Sequence, residues 1–182
     1  MPNVEVRAPE ARDLPAVAAL IAAGFEAYVA AGCAEEGRDG FRAYVTAVAI
    51  ARRLAGGAVA RVAVEGGGPG GGVVVGYGEL RDRDHGRPPG GVDHLALLFT
   101  APDRLRRGIG GLLLDALVDA ALERRPGDLD FLTVNASSYA VPAYGRLGFR
   151  ATGTPATRNG MTATPMRLDL ERCRASREGS RL

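Results

Sequence analysis

Apolar positions along this chain switch several times between a spacing of two and a spacing of three to four. Val4–Arg7 alternates like a short strand. Leu14, Val17, Leu20, Ile21 and Phe25 then recur at helical spacing, with Asp13 placed to cap the run. The segment AAGCAEEGRDG, residues 30–40, reads as a loop. A second helix is expected over Phe41–Leu54, stopped by Gly56–Gly57. Two strand-like runs follow, Ala58–Glu65 and Val73–Arg81, joined by the connector GGGPGGG. After the loop RDRDHGRPPGG comes a strongly apolar strand, Val92–Thr100. Helical spacing returns over Gly108–Arg125, with Leu112, Leu113, Ala116, Leu117, Ala120 and Ala121 on the apolar side. A strand at Asp130–Asn135, a short helix at Ser138–Leu147, and strands at Phe149–Thr152 and Thr164–Leu170 complete the pattern.

Strands and helices therefore interleave, which predicts an α/β (α+β) fold around a central mixed sheet. The strand–helix–strand unit across Val92–Asn135 is expected to be right-handed with parallel strands. No internal repeat is visible. The 182 residues suffice for one domain with its own core. Residues 1–170 are read as that domain, and residues 171–182 as a basic, flexible tail.

Composition narrows the function classes. Hydrophobic residues make up 46% and charged residues 24%, as in an ordinary globular protein. No run of 18 apolar residues predicts a membrane span. The opening MPNVEVRAPEARD lacks the basic start and apolar centre of a signal peptide, so a cytoplasmic location is expected. The net charge is only +2, and all 23 basic residues are arginine. Arg172, Arg174, Arg177 and Arg181 have no aromatics between them, so a solvated tail is expected there and no nucleic-acid surface. Cys33 and Cys173 lack ligand-like spacing beside only two histidines, so no metal site is expected.

The stretch APDRLRRGIGGLLLDALVDAAL, residues 101–122, places three glycines at the start of an apolar helix, where each costs about 1 kcal/mol against alanine. A strand feeding such a turn and then a helix is a phosphate-site layout. The first helical turn has N–H groups without internal partners and the positive end of the peptide dipoles. Glycine lets a pyrophosphate approach them closely. A P-loop needs a lysine, and this chain has none. The dinucleotide fingerprint fails at Leu113, which stands in the place of its third glycine.

RRGIGG fits instead the R/Q-x-x-G-x-G/A turn of the GNAT N-acetyltransferase superfamily, which the chain resembles. The order around it supports the match. HLALLFTAP leads into the turn, LTVNASSYAVPAYGRLGF resembles the family's fifth strand and fourth helix, and NGMTATPMRLDL follows. The resemblance covers about residues 4–170. One departure is Leu105, where the family carries Arg or Gln. The main chain shapes that turn, so the site is expected to persist, with Arg106 or Arg107 supplying charge.

The resemblance implies a sheet splayed between its fourth and fifth strands, with the pantetheine arm of acetyl-CoA in the gap. On this chain, the backbone of Leu98, Phe99 and Thr100 would meet that arm. The amides of Arg106, Arg107, Gly108, Ile109, Gly110 and Gly111 would hold the pyrophosphate. Asn135 either reaches the cofactor arm or caps the next helix. Tyr144, in line with Ala140 and Gly148, would face the cofactor sulfur, stabilising the thiolate by a hydrogen bond or protonating it if its pKa is lowered. His94 stands where several relatives carry a catalytic glutamate, with Glu79 as its rival and His85 as a solvated loop residue. Glu35, Glu36 and Asp39 would sit in a loop at the acceptor entrance and attract a cationic amine, or simply be solvated.

The implied activity is transfer of an acetyl group from acetyl-CoA to a primary amine of a small molecule or protein, by direct attack in a ternary complex. The alternative is a non-catalytic CoA-binding module. Expected partners are acetyl-CoA and the amine, with no nucleic acid and no membrane, and a homodimer as a family tendency.

Overall fold

The computed structural model describes residues 4–66, 72–82, 91–124 and 129–170. The chain runs β1 (Val4–Arg7), α1 (Leu14–Tyr28), α2 (Glu35–Tyr44), α3 (Ala47–Ala55), β2 (Val59–Glu65), β3 (Val73–Asp82) and β4 (Gly91–Thr100). It continues with α4 (Ile109–Arg124), β5 (Leu129–Ala136), α5 (Val141–Arg146), β6 (Arg150–Ala151), β7 (Ala156–Arg158) and β8 (Met161–Asp169). The strands form one mixed sheet in the order β1-β2-β3-β4-β5-β8-β6, and β7 pairs with β8 as a hairpin. Every pair is antiparallel except β4–β5, which is parallel as the sequence pattern required.

Helices cover both faces of the sheet. On one face Val17 and Ile21 of α1 and Ile50 of α3 pack on Val62, Tyr77 and Leu97. On the other, Leu114, Leu117 and Val118 of α4 pack on Leu95, Leu132 and Leu168. Helix α4 lies very close to β3: a Cβ at Gly78 would meet the Leu117 side chain at 2.6 Å. The buried stripe of α4 is Leu113, Leu114, Leu117, Val118, Ala120 and Ala121. Leu112, expected inside, is 49% exposed, because Ile109 and Leu113 set the helix's rotation against Ala63 and Val75.

The region between α1 and α3 differs most from the sequence pattern. Residues 30–40 are a 3-10 turn (Ala30–Gly32) and most of α2, so Glu35, Glu36 and Asp39 sit on a helix and not in a loop. Two acidic residues in the first turn favour that helix. The single helix expected over Phe41–Leu54 is broken at Val45–Thr46, where Thr46 Oγ1 accepts the Ala49 N–H at 3.2 Å and starts α3. Gly57, with φ of +97°, ends it. Asp13 does not cap α1 with its side chain. Its carboxylate instead accepts the Glu10 N–H at 2.7 Å and two hydrogen bonds from Arg7. The hairpin strand β7 and its turn at Asn159–Gly160 were not legible in the sequence.

The connector at 67–71, the loop carrying His85, and the expected tail with Cys173 and its arginines lie outside the described residues. None of the described helices is long and apolar enough to cross a membrane. Cys33 is half-buried, and burial pushes its thiol up from its ordinary value.

Candidate functional site

The parallel β4–β5 pairing begins at Gly91–Leu129 and ends at Leu95–Val134. One residue later β4 bulges: Glu79 pairs with Leu97 and Leu80 with Leu95, leaving Ala96 without a partner on β3. The bulge moves Leu95 and Leu97, two residues apart, onto opposite faces of the sheet. Beyond it the two strands part, and a cleft of about 390 Å³ opens between them.

Main-chain groups face this gap from both sides. The Ala101 N–H bonds Val75 O at 2.9 Å, so alternation along the antiparallel pair directs Phe99 towards β3 as well. Leu98 and Thr100 then turn their N–H and C=O groups into the gap. Of the three residues expected to offer backbone there, Phe99 is thus a correction: its amide is committed to β3 and its ring lines the cleft. On β5, Asn135 lies opposite Pro165, whose carbonyl is taken by the Thr152 N–H at 2.9 Å on its far side. The same alternation turns the Asn135 main chain towards β4, where the Leu95–Val134 pairing takes its N–H and leaves its C=O for the gap. Asn135 does not cap α5, because Ser137 Oγ accepts the Ala140 N–H.

The glycine-rich turn borders the cleft. Leu105 and Gly110 line it, and Arg106, Arg107, Gly108 and Ile109 lie between them. Arg106 has φ of +61° and Gly108 of +80°. A left-handed arginine is strained by roughly 1–2 kcal/mol. Left-handed residues alternating with ordinary ones turn successive N–H groups into a concave anion-binding nest. The first helical bond of α4 runs from Leu112 N to Gly108 O, so the N–H groups of Ile109, Gly110 and Gly111 have no acceptor within the helix. The Ile109 side chain is buried among Ala63, Val75 and Leu113, which leaves only its amide for a ligand. A Cβ at Gly110 would meet nothing within 4 Å. Packing within the chain therefore does not demand glycine there; the open space suits a diphosphate drawn against the helix end.

Tyr144 is on α5, lines the cleft, and makes an edge contact with Phe149 at 5.3 Å. Its hydroxyl has no hydrogen-bond partner among the described residues, and burial raises its pKa well above the ordinary tyrosine value. Burial thus favours the neutral phenol, a hydrogen-bond donor, over the phenolate. Gly148 lies past the end of α5 with φ of +94°, so it does not share a helical face with Tyr144.

His94 lines the cleft at 9% exposure, and its Nδ1 lies 2.9 Å from Thr133 Oγ1. Its rival Glu79 is 0% exposed and outside the cleft lining. Both Glu79 oxygens are held by Arg53, at 2.6 and 3.0 Å, and one also accepts from the Tyr77 hydroxyl at 2.9 Å. Arg53 also bonds Tyr44 O and stacks on the Tyr44 ring, so this buried pair ties α2 and α3 to β3. Glu79 is a structural anchor. Glu35, Glu36 and Asp39 are exposed and outside the cleft, and Asp39 pairs with Arg42.

The residues that sequence reasoning missed are the aromatics lining the cleft from α1, α2 and the end of β5: Tyr28, Phe41, Tyr44 and Tyr139. A signal existed in Phe25/Tyr28 and Phe41/Tyr44, two pairs each spaced by three, which places each pair on one helical face. Among the described residues no group of three His, Cys, Asp or Glu is placed to hold a metal ion.

A family model described as an acetyltransferase (GNAT) domain matches residues 29–170. Among solved structures, one from Rhodopseudomonas palustris described as a GCN5-related N-acetyltransferase, aminotransferase class II, is 26% identical. It covers 93% of this chain and 96% of its own, with a TM-score of 0.67. The PaiA N-acetyltransferase from Thermoplasma acidophilum, solved with coenzyme A, is 15% identical over 92% of this chain and 99% of its own, with a TM-score of 0.69. YncA from Salmonella typhimurium, solved with its cofactor acetyl-CoA, is 23% identical over 92% and 94%, with a TM-score of 0.64. The last two likenesses speak to the fold alone. No curated protein matches the chain.

Proposed function

Since the chain belongs to the GNAT acetyltransferase family, we propose that it is an acetyl-CoA-dependent N-acetyltransferase that acetylates a primary amine by direct attack in a ternary complex. The observation that carries this reading is the parting of β4 and β5 beyond Leu95–Val134, beside a helix N-terminus kept open at Gly110. The main chains of Leu98, Thr100 and Asn135 are suited to pair with the amides of a pantetheine arm, as strands pair with one another. The N–H groups of residues 106–111 are suited to its diphosphate, with Arg106 and Arg107 adding charge. The bound coenzyme would supply an activated acetyl thioester.

Two side chains carry the proton chemistry in this reading. Thr133 Oγ1 lies 3.5 Å from Asp93 O, to which it donates. The same hydroxyl lies 2.9 Å from His94 Nδ1 and holds the imidazole in place, with the direction of that bond set by the ring's tautomer. The His94 imidazole is the group we assign to take the proton from the attacking amine. An alkylammonium has a pKa near 10.4, so only about one molecule in 2,500 is nucleophilic at pH 7 without such help. Tyr144 stays protonated at any working pH, since burial raises its pKa. Its role is to donate a hydrogen bond to the leaving thiolate, whose ordinary pKa of about 8.5 is too low to deprotonate a buried tyrosine.

Release of coenzyme A thiol from acetyl-CoA, screened across amines, tests the reading. Turnover with at least one amine is expected. Thermal stabilisation by acetyl-CoA without turnover on any amine would favour the non-catalytic module instead, and no stabilisation at all would remove both.

A further inference from the structure

The chain is poor in aromatic residues, with five Phe and five Tyr and no Trp. Seven of those ten side chains line the one cleft described above. Five of them form two stacked groups along its wall. Phe41 stacks on Phe25 at 4.1 Å and reaches Phe99 at 6.0 Å, while Tyr28 of α1 stacks on Tyr139, beyond β5, at 4.6 Å. Tyr139 is 52% exposed, so this pair forms a flat aromatic face open to an incoming molecule. Among the described lining residues there is no Asp, Glu or Arg; His94 and the tyrosines are the titratable groups.

The cleft is also joined across its acceptor side. One wall is α2, carrying Phe41 and Tyr44; the other begins at Met161, just after the β7–β8 turn. The two meet backbone to backbone, with Ala34 N bonding Gly160 O at 2.8 Å and Gly37 packed against the same carbonyl. A polypeptide laid across this side would have to pass through that junction.

Resting on the acetyltransferase reading, we infer that the acceptor is a free, compact primary amine on a ring-bearing apolar body, and neither a polycation nor a peptide side chain. Aromatic faces attract a ring by stacking and tolerate a single ammonium through their quadrupoles. A second or third ammonium would enter this cleft stripped of water and without a carboxylate to meet it. One amine nitrogen, and only one, is needed for the proton transfer assigned to His94. The cleft must also take the end of the coenzyme arm within its 390 Å³, so the acceptor has room for about one ring.

Calorimetric titration of amines into the complex of this protein with coenzyme A tests the inference separately from turnover. The probes are 2-phenylethylamine, spermidine and an acetyl-capped peptide with one lysine. We expect 2-phenylethylamine to bind at least about tenfold more tightly than either competitor. Tyr139→Ala, at a half-exposed position, should remove most of that preference while leaving affinity for coenzyme A unchanged. Equal or tighter binding of spermidine or of the peptide would overturn the inference, as would a preference indifferent to Tyr139→Ala. Failure of every amine to be acetylated would instead overturn the enzymatic reading, without altering the binding order measured here.

Discussion

A methyl group added to Gly37 would stand 2.6 Å from the carbonyl oxygen of Gly160. That close approach, together with the Ala34 N–H bond to the same oxygen at 2.8 Å, joins α2 to the β7–β8 turn, where Asn159 and Gly160 both hold positive φ. Gly37→Ala must push the two walls of the cleft apart. We expect a stability loss of about 1–3 kcal/mol by urea denaturation. Acceptor KM should rise about tenfold while acetyl-CoA KM stays constant, since misplacing a substrate wall costs orientation. An unchanged acceptor KM would dissociate this junction from acceptor binding.

Gly110→Ala separates folding from coenzyme binding. Nothing in the chain occupies the space of the new methyl, and alanine is the better helix former. The variant should be as stable as the parent or up to about 1 kcal/mol more stable by thermal melting. Its affinity for acetyl-CoA should nevertheless fall about tenfold or more, because the methyl would fill the approach to the first-turn amides. Undiminished affinity would place the diphosphate elsewhere.

Tyr144→Phe should keep the fold and the edge contact with Phe149, since only the hydroxyl is removed. Losing a hydrogen bond to a developing thiolate should lower kcat about 10- to 100-fold, with acetyl-CoA KM little changed. A full retained rate would take Tyr144 out of the mechanism and leave the fold assignment untouched.

His94→Gln should lower kcat/KM by about 100-fold near pH 7, the scale of a positioned general base. The deficit should shrink as pH rises towards about 10, where the amine is deprotonated without assistance. A deficit constant across pH would mark His94 as a structural partner of Thr133 only.

The Arg7–Asp13 pair predicts an acid-sensitive contribution to stability. The Arg7 guanidinium, hydrogen-bonded at 2.7 and 3.0 Å, holds the Asp13 carboxyl below its ordinary value. A depressed carboxylate pKa stabilises the fold above the unfolded-state pKa of about 3.9, and the gain is lost as pH falls through the folded-state value. Asp13→Asn should cost about 1–2 kcal/mol at pH 7 in urea unfolding, with the difference from the parent narrowing steadily below about pH 4. A difference that persists unchanged into acid would assign the loss to packing.

The order of the elements outside α2, α3 and β7, the parallel β4–β5 unit and the glycine-rich turn were readable in the sequence, because each rests on local chemistry. Residue spacing decides which face is apolar, and glycine decides where a helix end can be approached. Tertiary structure alone decided the rest. The bulge at Ala96 sends Leu95 and Leu97 to opposite faces and opens the sheet, which depends on the pairing offset with Glu79 and Leu80 and not on any motif in β4. Glu79 looks like a free carboxylate until Arg53, 26 residues earlier, takes both its oxygens. Tyr28 and Tyr139 lie far apart along the chain and stack only because α1 and the end of β5 flank the same gap. Local sequence thus set the glycine-rich end of the cleft, which offers main-chain groups. The aromatic end is made of side chains from distant segments, and folding had to assemble it.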